Sequence, residues 1–314
     1  MDFTRSPIRQ LDVMCLEFWN SSTAITNAFE EFHLSIKHIT NKFIRPEIHL
    51  DTGEIILSLP YMDYLWYFCF AFFVKQELIN KKIIEFQATG TDFDYIIDLT
   101  ETEEGLQVQR CLLQCDQILH FQEDPIPQTL IIDQSPNIVS PNNNNLNEKI
   151  RSFQGTVNNL YIRALTCTLL HEVGHAVNRH VEIINPTDEL IKTCETEADN
   201  FALDTLIHGS TEDILNNSFG AILSFMSIYF MNKRSTYLHS FTHSMTHERC
   251  NRCIRKFQDA NVEQNAINYL YHMASQVAIE FLNSREIPIT NLDAGNDAEA
   301  YYHELMNIVD SVYL

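Results

Sequence analysis

Residues 171–180 read HEVGHAVNRH, with His171 and His175 four positions apart and Glu172 directly after the first. On an α-helix, residues four apart lie on one face, one turn above the other. A helix here would aim two imidazoles at one spot with a carboxylate beside them. The preceding residues supply that helix. Phe153, Val157, Leu160, Tyr161, Ala164, Leu165, Thr168 and Leu169 recur at three- and four-residue spacings and lead straight into His171. The stretch therefore falls near the end of a long, mostly buried helix expected over 150–180. Gly174 costs such a helix about 1 kcal/mol relative to alanine, a cost that makes sense where a close-packed neighbour or a substrate needs the space.

Downstream of this helix almost everything reads as helix. Asn185-Pro186 interrupts, Thr187-Asp188 starts a helix over 187–208, and further helices are expected at 211–231, 246–283 and 296–312. Upstream, SPNIVSPNNNNLNEK at 135–149 contains two prolines and six asparagines and reads as a loop or linker. The segment before it is mixed. Residues 12–45 carry Leu16, Trp19, Ile25, Phe29 and Phe32 at helical spacings. EIHLDTGEIILSLP at 47–60 alternates on both sides of Asp51-Thr52-Gly53, the signal of a β-hairpin. A helix is expected over 62–78 and another over 104–121, with β-prone pieces at 83–88, 94–99 and 129–133. The fold class that follows is α+β: a small mixed N-terminal region (1–134), the loop or linker at 135–149, and a mainly helical region (150–314) that carries the informative residues.

Composition narrows the function classes. The chain has 314 residues, 45% of them hydrophobic and 20% charged, as in a globular protein. Its formal net charge is −21, with a sequence pI near 4.9. Acid excess on that scale repels phosphate backbones and anionic lipid, so neither nucleic acid nor a membrane is an expected partner. The apolar runs at 65–74 and 219–231 are ten and thirteen residues long. Both fall short of the roughly 18 that a membrane span needs and read as core helices. The N-terminal stretch MDFTRSPIRQLDVMCLEFWN lacks the apolar run of a secretion signal. Eight cysteines without such a signal point to reduced thiols in a cytoplasm. Cys250-x-x-Cys253 has no second such pair, and these cysteines are expected as buried small hydrophobes.

Two histidines and a glutamate in the order H-E-x-x-H can bind zinc through the imidazoles while the glutamate deprotonates a water. A hydrolytic zinc needs a third protein ligand, and ETEADNFA at 195–202 offers one. Glu195 lies twenty residues after His175 on the next helix, and Asp199 shares its face four residues on. Asp199 could accept a ring N–H from a ligand histidine and fix its tautomer. His180 is nine residues after His171, one short of a metzincin's third histidine, and Asn178 stands where that pattern has glycine. It is read as a surface or supporting residue and not as a ligand.

His171-Glu172-x-x-His175 followed by Glu195 and Asp199 resembles the gluzincin metallopeptidases. The local text E-x-x-A-D-x-F-A resembles HtpX and CAAX prenyl proteases and ImmA/IrrE-type regulators. In overall size, an α+β N-terminal part and a motif in mid-chain, the chain looks most like the soluble phage-exclusion proteases of the Lit type. The resemblance implies a zincin-like catalytic region with one Zn2+ per chain, held by His171, His175 and Glu195, and Glu172 as general base. It implies a protein or peptide substrate cut in the cytoplasm, with limited proteolysis in phage defence gated by an activating peptide or protein. Thr242-His243-Ser244 to Arg249 is similar to a T-H-P-x4-R segment of HtpX-type enzymes, with Ser244 in place of proline. On that likeness His243 is the expected oxyanion donor, and Arg249 is expected to hold the segment through a carboxylate. Two alternatives stay open: an ImmA-like regulator acting on a repressor, and a non-catalytic, zinc-stabilised interaction protein. No basic recognition helix accompanies the first, and the second has no use for Glu172.

Overall fold

The computed structural model describes residues 23–40, 42–89, 98–120, 148–183, 186–209, 213–231, 246–289, 292 and 297–313. The hairpin read from Asp51-Thr52-Gly53 is formed by β2 (Glu47–His49) and β3 (Glu54–Ser58), antiparallel with Ile48 opposite Ile55. Gly53 has φ 71, and a Cβ there would stand 2.9 Å from the His33 carbonyl oxygen, so the turn needs glycine. Strand β1 (Ser35–Ile39) joins β3 in parallel, giving the order β1-β3-β2. Strand β3 is central, with Ile55, Ile56 and Leu57 buried; β2 is an edge.

The helix expected over 12–45 is shorter. Helix α1 (Thr23–Glu31) ends before His33, which adopts φ 53, and the chain then turns into β1. Over Ser35-Ile36-Lys37-His38-Ile39, pairing with β3 satisfies the backbone in a way a solvent-facing helix end would not. A second correction concerns 83–88, expected as strand. Helix α2 (Leu59–Thr89) runs straight through it. From Tyr61 to Thr89 there is no glycine or proline to stop a helix, and continuing it outweighs the β-propensity of Ile83-Ile84. Of the residues expected as strand at 94–99, Asp98 and Leu99 lie in non-strand backbone; the rest of that piece, 129–133, residues 12–22 and nearly all of 135–149 lie outside the described residues.

The remaining helices are α3 (Glu103–His120), α4 (Glu148–Val177), α5 (Asp188–Gly209), α6 (Ile214–Met231), α7 (Thr246–Asp259), α8 (Gln264–Ser284) and α9 (Ala298–Tyr313). A short 3-10 turn, His180–Glu182, follows α4. The single helix expected over 246–283 is thus two. Asn261, with φ 62, takes the left-handed conformation that ends α7, and Val262 N–H closes back on the Phe257 carbonyl. Aromatic side chains of α2 fill the centre: Tyr61, Tyr64, Trp66, Tyr67, Phe68, Phe70 and Phe72 are all buried. Trp66 Nε1–H donates to Asn158 Oδ1 (2.8 Å) and Tyr64 O–H to the Ser227 carbonyl (2.7 Å), so their polar ends are matched. Apolar residues from both sides of 135–149 pack into one cluster around α2, α4 and α6. Among the described residues one helix, Ile214–Met231, is long and apolar enough to cross a membrane, and 72% of it is buried within the protein. The architecture is α+β and mainly helical, with the sheet laid against one end of α4.

Candidate metal centre

Helices α4 and α5 meet at Gly174. A Cβ on this residue would stand 2.9 Å from Ala198 Cα and 3.0 Å from the Ala198 carbonyl oxygen. The glycine therefore admits the neighbouring backbone, which settles why a helix tolerates it. This close crossing sets the His171–His175 face of α4 against the Glu195–Asp199 face of α5. His171 Nε2 lies 3.2 Å from His175 Nε2 and 3.2 Å from Glu195 Oε2, and His175 Nε2 lies 3.5 Å from Glu195 Oε1. Ligand atoms of the three residues all fall within 4.8 Å of one another.

Each histidine is anchored through its other nitrogen. His171 Nδ1 lies 2.9 Å from Asp199 Oδ1. Arg249 in turn grips Asp199 with two bonds, Nε to Oδ2 at 2.8 Å and Nη2 to Oδ1 at 2.6 Å. Burial opposes a charge on Asp199, but the Arg249 guanidinium and His171 overcome it and hold the carboxyl well below its ordinary range. An ionised Asp199 accepts the Nδ1–H of His171, which leaves Nε2 with a lone pair. His175 Nδ1 lies 2.8 Å from His180 Nδ1, and His180 Nε2 lies 3.0 Å from Glu197 Oε2. Sequence reasoning left His180 without a partner and passed over Glu197, whose position two residues after Glu195 was the available signal.

The donor set fits zinc. Two ligands about 2.05 Å from a tetrahedral ion stand about 3.3 Å apart, close to the 3.2–3.5 Å separations of these three groups. With the Nδ1 proton of His171 committed to Asp199, its bare Nε2 converges with His175 Nε2 and the Glu195 carboxylate, an arrangement that suits a cation. As a free ligand set the site takes that charge on His171. Burial disfavours the imidazolium, yet Asp199 and Glu195 push its pKa up to about 10. His175, buried and beside that charge, falls to about 4.

Glu172 is buried on the side facing the sheet. The Ile48 N–H on edge strand β2 donates to its Oε2 at 2.9 Å, a partner that no residue letter could announce. Burial raises the Glu172 pKa to about 7, with the His171 charge acting in the opposite direction. A carboxyl poised there can both accept and return a proton near neutrality. His243 lies outside the described residues. His247, on α7, is turned away toward α9, with Nδ1 3.7 Å from Asp310 Oδ1. Cys250 and Cys253 are buried thiols in the core, Cys250 Sγ at 3.1 Å from Met226 Sδ.

A family model described as Peptidase U49 matches residues 55–274, a span that begins in β3 and contains every side chain of the site. No curated protein and no solved structure matches the chain.

Proposed function

The chain belongs to the Peptidase U49 family, and on that premise we propose that it is a zinc-dependent endopeptidase of gluzincin type. The observation that carries this reading is the convergence of His171, His175 and Glu195 at separations suited to one tetrahedral ion, beside the buried Glu172 carboxyl that the Ile48 N–H holds in place. A zinc ion held by these three residues would supply the Lewis acidity that acidifies a water and polarises a scissile carbonyl. Glu172 takes the proton from the attacking water, and the Ile48 N–H holds one of its two oxygens in place. As the carbon–nitrogen bond breaks, Glu172 returns that proton to the leaving nitrogen, so the carboxylate is regenerated. Asp199 and Arg249 fix the ring of His171 throughout. His243 is the proposed donor to the developing oxyanion; its replacement by alanine should lower kcat about 10²–10³-fold with zinc retained.

On the Lit-type resemblance, we propose a cytoplasmic protein substrate and limited proteolysis in phage defence, switched on by a peptide or protein. A zinc-stabilised scaffold would have no need of a carboxyl held as Glu172 is. Metal analysis together with active and Glu172→Gln forms expressed in cells tests the proposal. One zinc per chain in both forms is expected, with new protein N-termini formed only by the active one. Equal sets of new N-termini would sink the mechanism.

A further inference from the structure

His180 is not a ligand of the three-residue set, yet the backbone is bent to bring it there. In an unbroken helix a residue five positions after His175 would point about 140° away from it. Instead α4 ends at Val177, Arg179 takes a left-handed φ of 55, and the chain folds back so that His180 is buried against the His175 ring. A left-handed conformation costs a residue other than glycine on the order of 1 kcal/mol or more, and the two interactions of His180 are what it brings. Asn178 holds the reversal through its Nδ2–H bond to the Gly174 carbonyl (2.9 Å).

We propose that Glu197 and His180 form a positioning relay that sets the tautomer of His175 and so completes the metal site, a proposal that rests on the zinc reading above. The direction of the relay follows from its ends. Glu197 Oε2 accepts the proton of His180 Nε2, which leaves His180 Nδ1 as a lone pair. At 2.8 Å that lone pair accepts the Nδ1–H of His175, and His175 Nε2 is left bare, facing Glu195 and His171. The opposite assignment places the proton of a neutral His175 on Nε2, the atom the metal needs. Asp199 does the same for His171, so each ligand histidine has its own carboxylate-terminated support. His180 is a positioning residue: it reaches the metal site only through His175.

The test is zinc affinity, measured by chelator competition on the full chain, together with the visible spectrum of the Co2+-loaded protein. His180→Phe, which keeps a ring but no acceptor, should weaken zinc binding about 10–100-fold. His180→Gln should stay within about threefold of the parent, because its amide accepts from His175 and donates to Glu197. Glu197→Ala, at an exposed position, should weaken binding about three- to tenfold. All variants should share the Co2+ spectrum of the parent at saturating metal. Unchanged affinity in His180→Phe, a Gln form as weak as the Phe form, or a spectrum showing one ligand fewer in His180→Phe would overturn the relay. Should His180→Phe not fold, unchanged affinity in Glu197→Ala overturns it alone. A parent that takes up no zinc, or keeps it in His171→Ala, removes the metal site itself; zinc that is lost in His171→Ala but indifferent to His180 and Glu197 removes only the relay.

Discussion

At the residue scale the most constrained group is Asp199. Its carboxylate is buried and shared between a bidentate arginine and a ring nitrogen of His171. Asp199→Ala would strand the Arg249 cation in the interior, a loss of about 3–5 kcal/mol in stability. It would also free the His171 ring, lowering zinc affinity about 10–100-fold. Thermal unfolding and chelator competition on the one variant read the two effects separately. These residues stand out in the sequence because two pairs are spaced for one helical face: His171 with His175, Glu195 with Asp199. Arg249 was legible as a carboxylate partner, though not as the partner of Asp199. The Ile48 N–H was invisible, since a backbone donor has no letter and its use depends on where a distant strand comes to rest.

At the element scale the crossing of α4 and α5 matters most. Gly174→Ala improves helix propensity by about 1 kcal/mol, but the new methyl meets Ala198 backbone at 2.9 Å, which cannot yield without moving a helix. The expected result is a lower melting temperature and weaker zinc binding together, a coupling that differential scanning calorimetry with and without metal would detect. Strand β2 offers a complementary test. The Ile48 N–H is given to Glu172 and not to β3, so proline at this edge position deletes that bond while sparing the β2–β3 ladder, at the cost of some apolar packing by the Ile48 side chain. Ile48→Pro should keep fold and metal but lower kcat, measured on any peptide the parent cleaves. The helices at 150–180 and 187–208 were readable from their apolar period and from Asn185-Pro186 between them. Helix α2 through 83–88 and the break at Asn261 were not: local β-propensity yields to an uninterrupted helix, and asparagine leaves the helix only where tertiary packing asks for it.

At the scale of the whole molecule, the core is rich in acidic protons held in apolar surroundings. Burial raises the pKa of Cys69, Cys111, Cys250 and Cys253, lifts Cys167 to about 12, and raises Tyr61, Tyr64 and Tyr302 as well. These groups stay neutral in the folded state but ionise in the unfolded chain near pH 8.5 for thiols and 10 for phenols. Stability that is fully present below those values is lost as pH rises through and beyond them. The melting temperature should therefore fall steadily between about pH 8.5 and 11, with native cysteines slow to alkylate at pH 8 and fast once the protein is unfolded. A melting temperature that does not change across that range would contradict the burial of these groups.

The bond from Ile48 to Glu172 also sets a timetable. The residues that would hold the metal lie between 171 and 195, on two helices adjacent in the chain, whereas the proposed base is steadied by a strand 124 residues away. Near neighbours in a chain meet sooner than distant ones. A newly folding molecule should therefore collect its zinc first and become able to cut only when the small sheet docks. Refolding in the presence of zinc, followed at once by metal uptake and by peptide cleavage, should show the second lagging the first; simultaneous onset would mean that sheet and helices arrive together. With such a lag, the young chain passes through a stage in which it is loaded but harmless to its neighbours.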